Sequence, residues 1–353
     1  MVSDRVLGAM RTDIGSRHSD FEYLITFIRN SLVQLAGVNT NTHTAIPMAG
    51  SGTLAIESTL STALSGKKGT VLVLENGMYG QKIANICKRY GNNVETVRVH
   101  TEALEQRLQQ SDDVIGVVSV HYETTSGILN PVFEIGKIIK QKKKDCIFIV
   151  DAISSFGGIP YDATNIDYAV SSACKCLQGV PGVSFVIANI SEIEKQIGMN
   201  QILTLDLAGQ YQELERTRQF RFTPPTHVLL ALKEALLELE DEGGVEKRMK
   251  RFKENASILN HGMQKLGFKH STDKDQKTHI VTSFQYPENP RFVYGDFMDR
   301  LDRRGLQLCA ERTNTKGHFR VGTIGNLYPE DMKLLVDGIE DVCAEMDIKL
   351  PLS

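Results

Sequence analysis

The chain has 353 residues, 41% hydrophobic and 24% charged, and its 40 Lys and Arg against 43 Asp and Glu leave a net charge of −3. That length predicts two domains with a sizeable core. The balanced charge offers neither a basic field for nucleic acid nor an acidic tail. Apolar runs such as Val114–Val120 fall far short of the ~18 residues a membrane span needs, and the opening MVSDRVLGAM lacks a basic-then-apolar leader pattern. Six scattered cysteines include Cys174 and Cys176 in C-x-C spacing, with no second pair to complete a zinc site. No metal is expected, and a reduced, cytoplasmic globular protein is the default.

Taken in chain order, helix and loop come first, followed by a poorly formed strand at 44–48, interrupted by Pro47, and a helix over 54–64. Short apolar runs at 71–74, 114–120, 146–150, 167–170 and 185–188 read as strands buried on both faces. Helical stretches at 80–90, 101–110 and 131–142 separate them. This βαβα order predicts an α/β fold with a mostly parallel sheet flanked by helices. Helices are then expected at 225–242 and, after Gly243-Gly244, at 245–266. Strands at 280–284, 306–309 and 319–323 and a last helix at 329–346 complete a smaller α+β region. The expected domains are 1–242, large, and 243–353, small.

Ligands of a parallel α/β sheet gather at the carboxyl ends of its strands. Gly50-Ser51-Gly52-Thr53 opens a helix there, and a helix start with glycines and hydroxyls suits a phosphate, or else is a plain capping turn. The spacing Gly50-x-Gly52-x-x-Ala55, with Glu75 beyond, also matches weakly a dinucleotide fingerprint. Asp151 ends an apolar strand, where a carboxylate needs a partner: it can meet a protonated ring nitrogen, or else cap the Ser154–Ser155 turn. Lys175, among small residues and ahead of Gly179-Val180-Pro181-Gly182, is either a solvated loop lysine or a partly buried, nucleophilic amine, and its company favours the second. Together they match the ring nitrogen, aldehyde and phosphate of pyridoxal phosphate. Among the rest, His121 is a proton relay or a core histidine, and His227 is structural. Cys174 and Cys176 are buried fillers. The run Lys140–Lys144 is a solvated helix end, and Arg216 and Arg218 form a solvated face.

The segments DAISSFGGIP (151–160), SSACKCLQGVPG (171–182) and RFTPPTH (221–227) resemble the class V, fold-type I pyridoxal-phosphate aminotransferases. HYETTSG (121–127) and HFRVGTIG (318–325) extend the likeness, which runs from DIGSRHSDF (13–21) to the last helix. The resemblance implies that Lys175 binds the cofactor covalently and that Asp151 pairs with its ring nitrogen. It implies Thr124 at the ring's phenolic oxygen, Tyr79 stacked on the ring, and Ser51, Gly52 and Thr53 on the phosphate. Thr223 would reach the phosphate of the other subunit in a homodimer, and Arg320 would grip the substrate's acid group through a bidentate fork.

Within the family the nearest resemblance is to members that pass the amino group of 2-aminoethylphosphonate to pyruvate, giving phosphonoacetaldehyde and L-alanine. An alanine– or serine–glyoxylate aminotransferase is the alternative. A cysteine desulfurase-like lyase using Cys309, or a nicotinamide dehydrogenase built on Gly50-x-Gly52, stands further off. Two features depart from the family pattern. The sequence opens at Met1-Val-Ser-Asp-Arg, where members carry a Leu-Leu-x-Pro-Gly-Pro-type segment, and Cys174 precedes the lysine, where an amide side chain is frequent.

Overall fold

A computed structural model describes residues 1–110, 112–271, 279–308 and 317–352. The chain forms two compact units, Val2–Val245 and Met1 with Glu246–Ser353. In the first unit, α1 (Asp4–Ala9) and α2 (Ser19–Leu35) precede β1 (His43–Ala49) and α3 (Gly52–Ala63). Next come β2 (Thr70–Glu75), α4 (Met78–Arg89), β3 (Asn93–Arg98), α5 (Thr101–Gln110) and β4 (Val114–Val120). A small hairpin, β5 (Tyr122–Glu123) and β6 (Ile128–Leu129), leads to α6 (Val132–Lys142), β7 (Ile147–Asp151), β8 (Tyr168–Ser172) and β9 (Val183–Asn189). Three helices follow, α7 (Ile190–Glu194), α8 (Leu207–Thr217) and α9 (Thr226–Asp241).

Seven strands build one sheet in the order β1-β9-β8-β7-β4-β2-β3. Its parallel pairs are β2 with β3 and β4, β4 with β7, and β7 with β8; β9 runs antiparallel to both β8 and β1. Every residue of β7 and β8 is buried, because helices cover both faces of the sheet, and this is why the runs at 146–150 and 167–170 read as continuous apolar segments. The two reversals at β9 leave β1 pointing the same way as β7 and β8. The turn after β1 therefore emerges at the same sheet edge as the turns after those two strands.

β1 is a complete seven-residue strand, not the broken one expected at 44–48. Pro47 is tolerated because β1 is an edge strand, whose outer side needs no ladder N–H. Its carbonyl accepts Gln210 Nε2 at 3.2 Å. This placement also removes the dinucleotide-fold reading of Gly50-x-Gly52. That fingerprint needs a parallel βαβ unit, whereas β1 pairs only with antiparallel β9, and Glu75 merely ends β2 and accepts Gln81 Nε2.

Lys140 also departs from expectation. Instead of a solvated end of α6, its Nζ lies 2.6 Å from Asp167 Oδ2. Asp167 is buried and also accepts the N–H of Phe148, so Lys140 neutralises a carboxylate just before β8. Arg216 pairs with Glu213 on an exposed helix face, as expected of a solvated arginine.

The second unit contains α10 (Gly244–Lys265), β10 (Val281–Gln285), α11 (Tyr294–Arg303), β11 (His318–Gly322) and α12 (Pro329–Glu345). β10 and β11 form an antiparallel pair, and Phe284, Phe297, Phe319 and Ile339 anchor a separate apolar cluster. The strand expected at 306–309 does not form over 306–308. Cys309, the cysteine considered for desulfurase chemistry, lies outside the described residues.

Candidate active site

The chain runs from β2 outward to β3 and then crosses back to β4 on the other side of β2. Such a reversal opens a crevice at the carboxyl ends of the strands, where α/β proteins bind ligands. The turns after β1, β2, β4, β7 and β8 all reach this edge, and contacts among them bind them into one assembly.

Asp151 is the last residue of β7 and opens the turn that follows it. Its carboxyl is buried, and Oδ1 accepts the N–H of Ile153 at 3.0 Å. Burial pushes the group up to about 7, and the charge of Glu123 adds to the rise; the Ile153 hydrogen bond and the charge of Lys82 oppose it. Two residues later, Ile153 packs against the helix start after β1. A Cβ added at Gly52 would lie 2.5 Å from Ile153 Cδ1 and 2.8 Å from its Cγ1. Glycine is thus what lets the start of α3 approach the Asp151 turn. Gly52→Ala is expected to cost about 1–3 kcal/mol through overpacking, read as a lowered thermal midpoint; an unchanged midpoint would show that Ile153 yields freely.

Ser51 caps α3, with its Oγ accepting Leu54 N–H at 3.4 Å, and this is the capping role weighed for it. The cap leaves the leading N–H groups of α3 at the sheet edge, where they favour an anion. Thr53 Oγ1 accepts a hydrogen bond from Lys82 Nζ at 2.7 Å. Lys82, on α4, thereby brings a positive charge to the same place; the sequence held no cue for it.

Lys175 lies in the turn after β8. The hydroxyl-bearing Ser171 and Ser172 belong to the strand itself. Neighbouring contacts hold the turn closely: Gly50 donates its N–H to Gly182 O at 2.9 Å, Gln178 N–H donates to Lys175 O at 3.0 Å, and Cys176 Sγ donates to Ser154 O at 3.3 Å. The Lys175 turn is therefore tied both to the helix start after β1 and to the turn that follows Asp151. Lys175 is exposed, as a solvated loop lysine is and not partly buried as its neighbours suggested; Cys174 is exposed too, contrary to expectation, while Cys176 is the buried filler. Among the described residues, Lys175 Nζ has no hydrogen-bond or ion-pair partner.

His121 follows β4. It is buried, its Nδ1 lies 2.9 Å from Ser155 Oγ, and burial pushes it down to about 4. A ring held neutral and packed edge-on against Phe133 and Tyr161 is the core histidine of the two readings. Tyr79 sits in the first turn of α4 and Thr124 directly after β5. Thr223 is exposed on the segment between α8 and α9, beside Arg221, whose guanidinium binds Asp206 at 2.8 Å. His227 approaches Asp13 at 3.7 Å, in keeping with a structural role. Arg320 belongs to the second unit, on β11 in register with Ser283.

A helix start rich in N–H donors, a buried carboxylate and an exposed amine thus share one sheet edge. This arrangement of turns on a mostly parallel sheet is the fold-type I architecture, and solved structures share it. Ureidoglycine–glyoxylate aminotransferase from Bacillus subtilis superposes with a TM-score of 0.89 over 99% of this chain and 92% of its own, at 23% identity. Residues 6–312 match the family model "Aminotransferase class-V", and the chain belongs to that family of enzymes. It is 39% identical over 350 residues to the 2-aminoethylphosphonate–pyruvate transaminase of Phocaeicola vulgatus, with 96% of both chains covered. It is also 40% identical over 334 residues to a bifunctional phosphonoacetaldehyde hydrolase/aminoethylphosphonate transaminase of Clostridioides difficile, and spans 52% of that protein.

Proposed function

We propose that the chain is a pyridoxal-phosphate transaminase that moves the amino group of 2-aminoethylphosphonate to pyruvate, yielding phosphonoacetaldehyde and L-alanine. The supporting observation is the meeting of Asp151, Lys175 and the 50–53 helix start at one sheet edge, in a chain that aligns end to end with transaminases of that name. The residues fit the cofactor. Ser51, Gly52 and Thr53, with Lys82 beside them, offer donors and charge to a phosphate. Asp151 offers a buried carboxylate to a protonated ring nitrogen, and Lys175 a free amine to an aldehyde carbon. Tyr79 and Thr124 would flank the cofactor's ring. The bound cofactor supplies an electron sink that withdraws charge from the substrate carbon.

The chain's own groups do the rest. With the cofactor bound, Lys175 would hold its aldehyde carbon and, once released, would serve as the base and acid that moves the proton of the substrate carbon. Asp151 would pair with the ring nitrogen and hold its proton there. Arg320 holds the phosphonate of one substrate and the carboxylate of the other, since a planar guanidinium forks onto either. We further propose a homodimer in which Thr223 completes the partner's phosphate site, working in the cytoplasm; the five described cysteines are all free. No helix among the described residues is long and apolar enough to cross a membrane.

The test is alanine formation from pyruvate with competing donors. 2-Aminoethylphosphonate is expected to outcompete serine by at least about a hundredfold in kcat/KM, because its phosphonate brings more negative charge and a further acceptor oxygen to Arg320 than serine's carboxylate does. Equal use of both donors, or a requirement for glyoxylate as acceptor, would overturn the assignment.

A further inference from the structure

The start of α4 is capped from a distance. Gly77 precedes the helix and has no side chain with which to cap it. The capping groups come instead from the turn at 123–125. Glu123 Oε2 accepts the N–H groups of Tyr79 and Gly80 at 3.0 and 3.3 Å. Thr125 Oγ1 accepts the N–H of Met78 at 3.0 Å. The other carboxylate oxygen, Oε1, accepts Thr125 N–H at 3.2 Å and Thr125 Oγ1–H at 2.5 Å. The three leading N–H groups of α4 are thereby satisfied by two side chains that lie more than forty residues further along the sequence.

This clamp is closely built. Glu123 is fully buried, a costly place for a carboxylate unless its oxygens are bonded and a helix N-terminus faces it. A Cβ at Gly77 would lie 2.4 Å from Glu123 Cγ and 2.5 Å from Thr125 Oγ1. Since φ at Gly77 is 178°, its backbone demands no glycine; the space for the carboxylate does. Below the clamp, Asn76 Nδ2 donates to Asn130 Oδ1 at 2.7 Å, so the ends of β2 and of the β5–β6 hairpin are joined a second time.

Tyr79 and Thr124 are the residues on either side of this clamp. Tyr79 carries one of the bonded N–H groups, and Thr124 lies between Glu123 and Thr125. We propose that Glu123 is a positioning residue for the transamination: its carboxylate fixes the spacing between Tyr79 and Thr124, and with it the gap that receives the cofactor ring. The inference rests on the reading that these two residues flank the ring.

The test compares wild type with Glu123→Gln by titrating cofactor-free protein with pyridoxal phosphate, followed by visible absorption and visible circular dichroism. The amide presents an NH2 toward the N–H groups of either α4 or Thr125, so one half of the clamp opens. Cofactor affinity is expected to fall about tenfold or more, and the visible dichroism per bound cofactor to shrink, because the ring is no longer held at one angle. The same substitution in a Tyr79→Ala, Thr124→Ala background is expected to change affinity less than about threefold, since groups that act through one another are non-additive.

Unaltered affinity and dichroism in Glu123→Gln would overturn the proposal, as would an undiminished loss in the double-alanine background. Should Glu123→Gln not fold, Thr125→Val removes only the hydroxyl between Glu123 and Met78 and is expected to act in the same direction; no change there would overturn the proposal equally. A wild type that takes up no cofactor would refute the functional reading itself, and is distinguishable because it appears before any variant is made.

Discussion

Lys175→Ala is expected to abolish the yellow colour that wild type acquires with pyridoxal phosphate, and to lower alanine formation by at least about a thousandfold. Two contributions are lost together. The amine is the only group proposed to bond the cofactor covalently, and it is also the proposed carrier of the proton between substrate and cofactor; positioned acid–base groups alone are worth about a hundredfold to ten-thousandfold. The exposure of Lys175 makes the experiment clean, because removing a surface side chain changes stability by only about 0.5 kcal/mol. The thermal midpoint of the cofactor-free variant should therefore match wild type while chemistry disappears. Borohydride treatment of wild type should fix the cofactor's mass on the peptide containing residue 175. A variant that remains yellow and is fixed elsewhere would remove Lys175 from the centre of the site.

Much of this edge was legible because its carriers are local. The apolar runs before Asp151 and before His121 are buried on both faces, and such strands advertise themselves without tertiary information. The helix start at Gly52 was readable from glycine and hydroxyl spacing. What escaped depends on partners distant in sequence. β1 looked broken because a proline is fatal to a central strand, and only the sheet order shows that it lies at an edge. β3, Asn93-Val94-Glu95-Thr96-Val97-Arg98, sets two separated valines among polar and charged residues on the opposite edge of the sheet, and no apolar run betrays it. Lys140 looked like a solvated helix end because Asp167, which it neutralises, lies 27 residues away.

The same reason hid the groups that finish the site. Glu123 is one acidic residue in a turn until the fold sets the first turn of α4 above it, and Lys82 is an ordinary helix lysine until Thr53 lies beneath its amine. Sequence patterns reveal what an element does with its own neighbours. The electrostatics of the sheet edge belong to the turns as they meet.

Asp151→Asn separates the cost of that electrostatic design from its benefit. In the folded chain, burial and the charge of Glu123 raise the Asp151 carboxyl to about 7, against 3.8 for the free group. A raised folded value means that folding favours the protonated acid. The associated stability is fully present below about pH 4 and is lost as pH rises through 7, where the ionised carboxylate sits uncompensated in the fold. A difference of this size corresponds to a penalty on the order of 4 kcal/mol once the group is ionised.

Asparagine keeps an oxygen for the N–H of Ile153 and carries no charge. Without cofactor, the variant should therefore differ little from wild type near pH 4, grow relatively more stable as pH rises, and hold a constant advantage above about pH 7. Thermal midpoints of the two cofactor-free proteins across that range read the difference directly. Turnover should move the other way, falling about a hundredfold to a thousandfold, because a neutral amide does not hold the ring nitrogen's proton as a carboxylate does. Stability given up at a functional carboxylate is a common trade in enzymes. If the gap between the two midpoints is the same at pH 5 and pH 8, burial does not raise the Asp151 carboxyl, and holding its charge in the fold costs no stability.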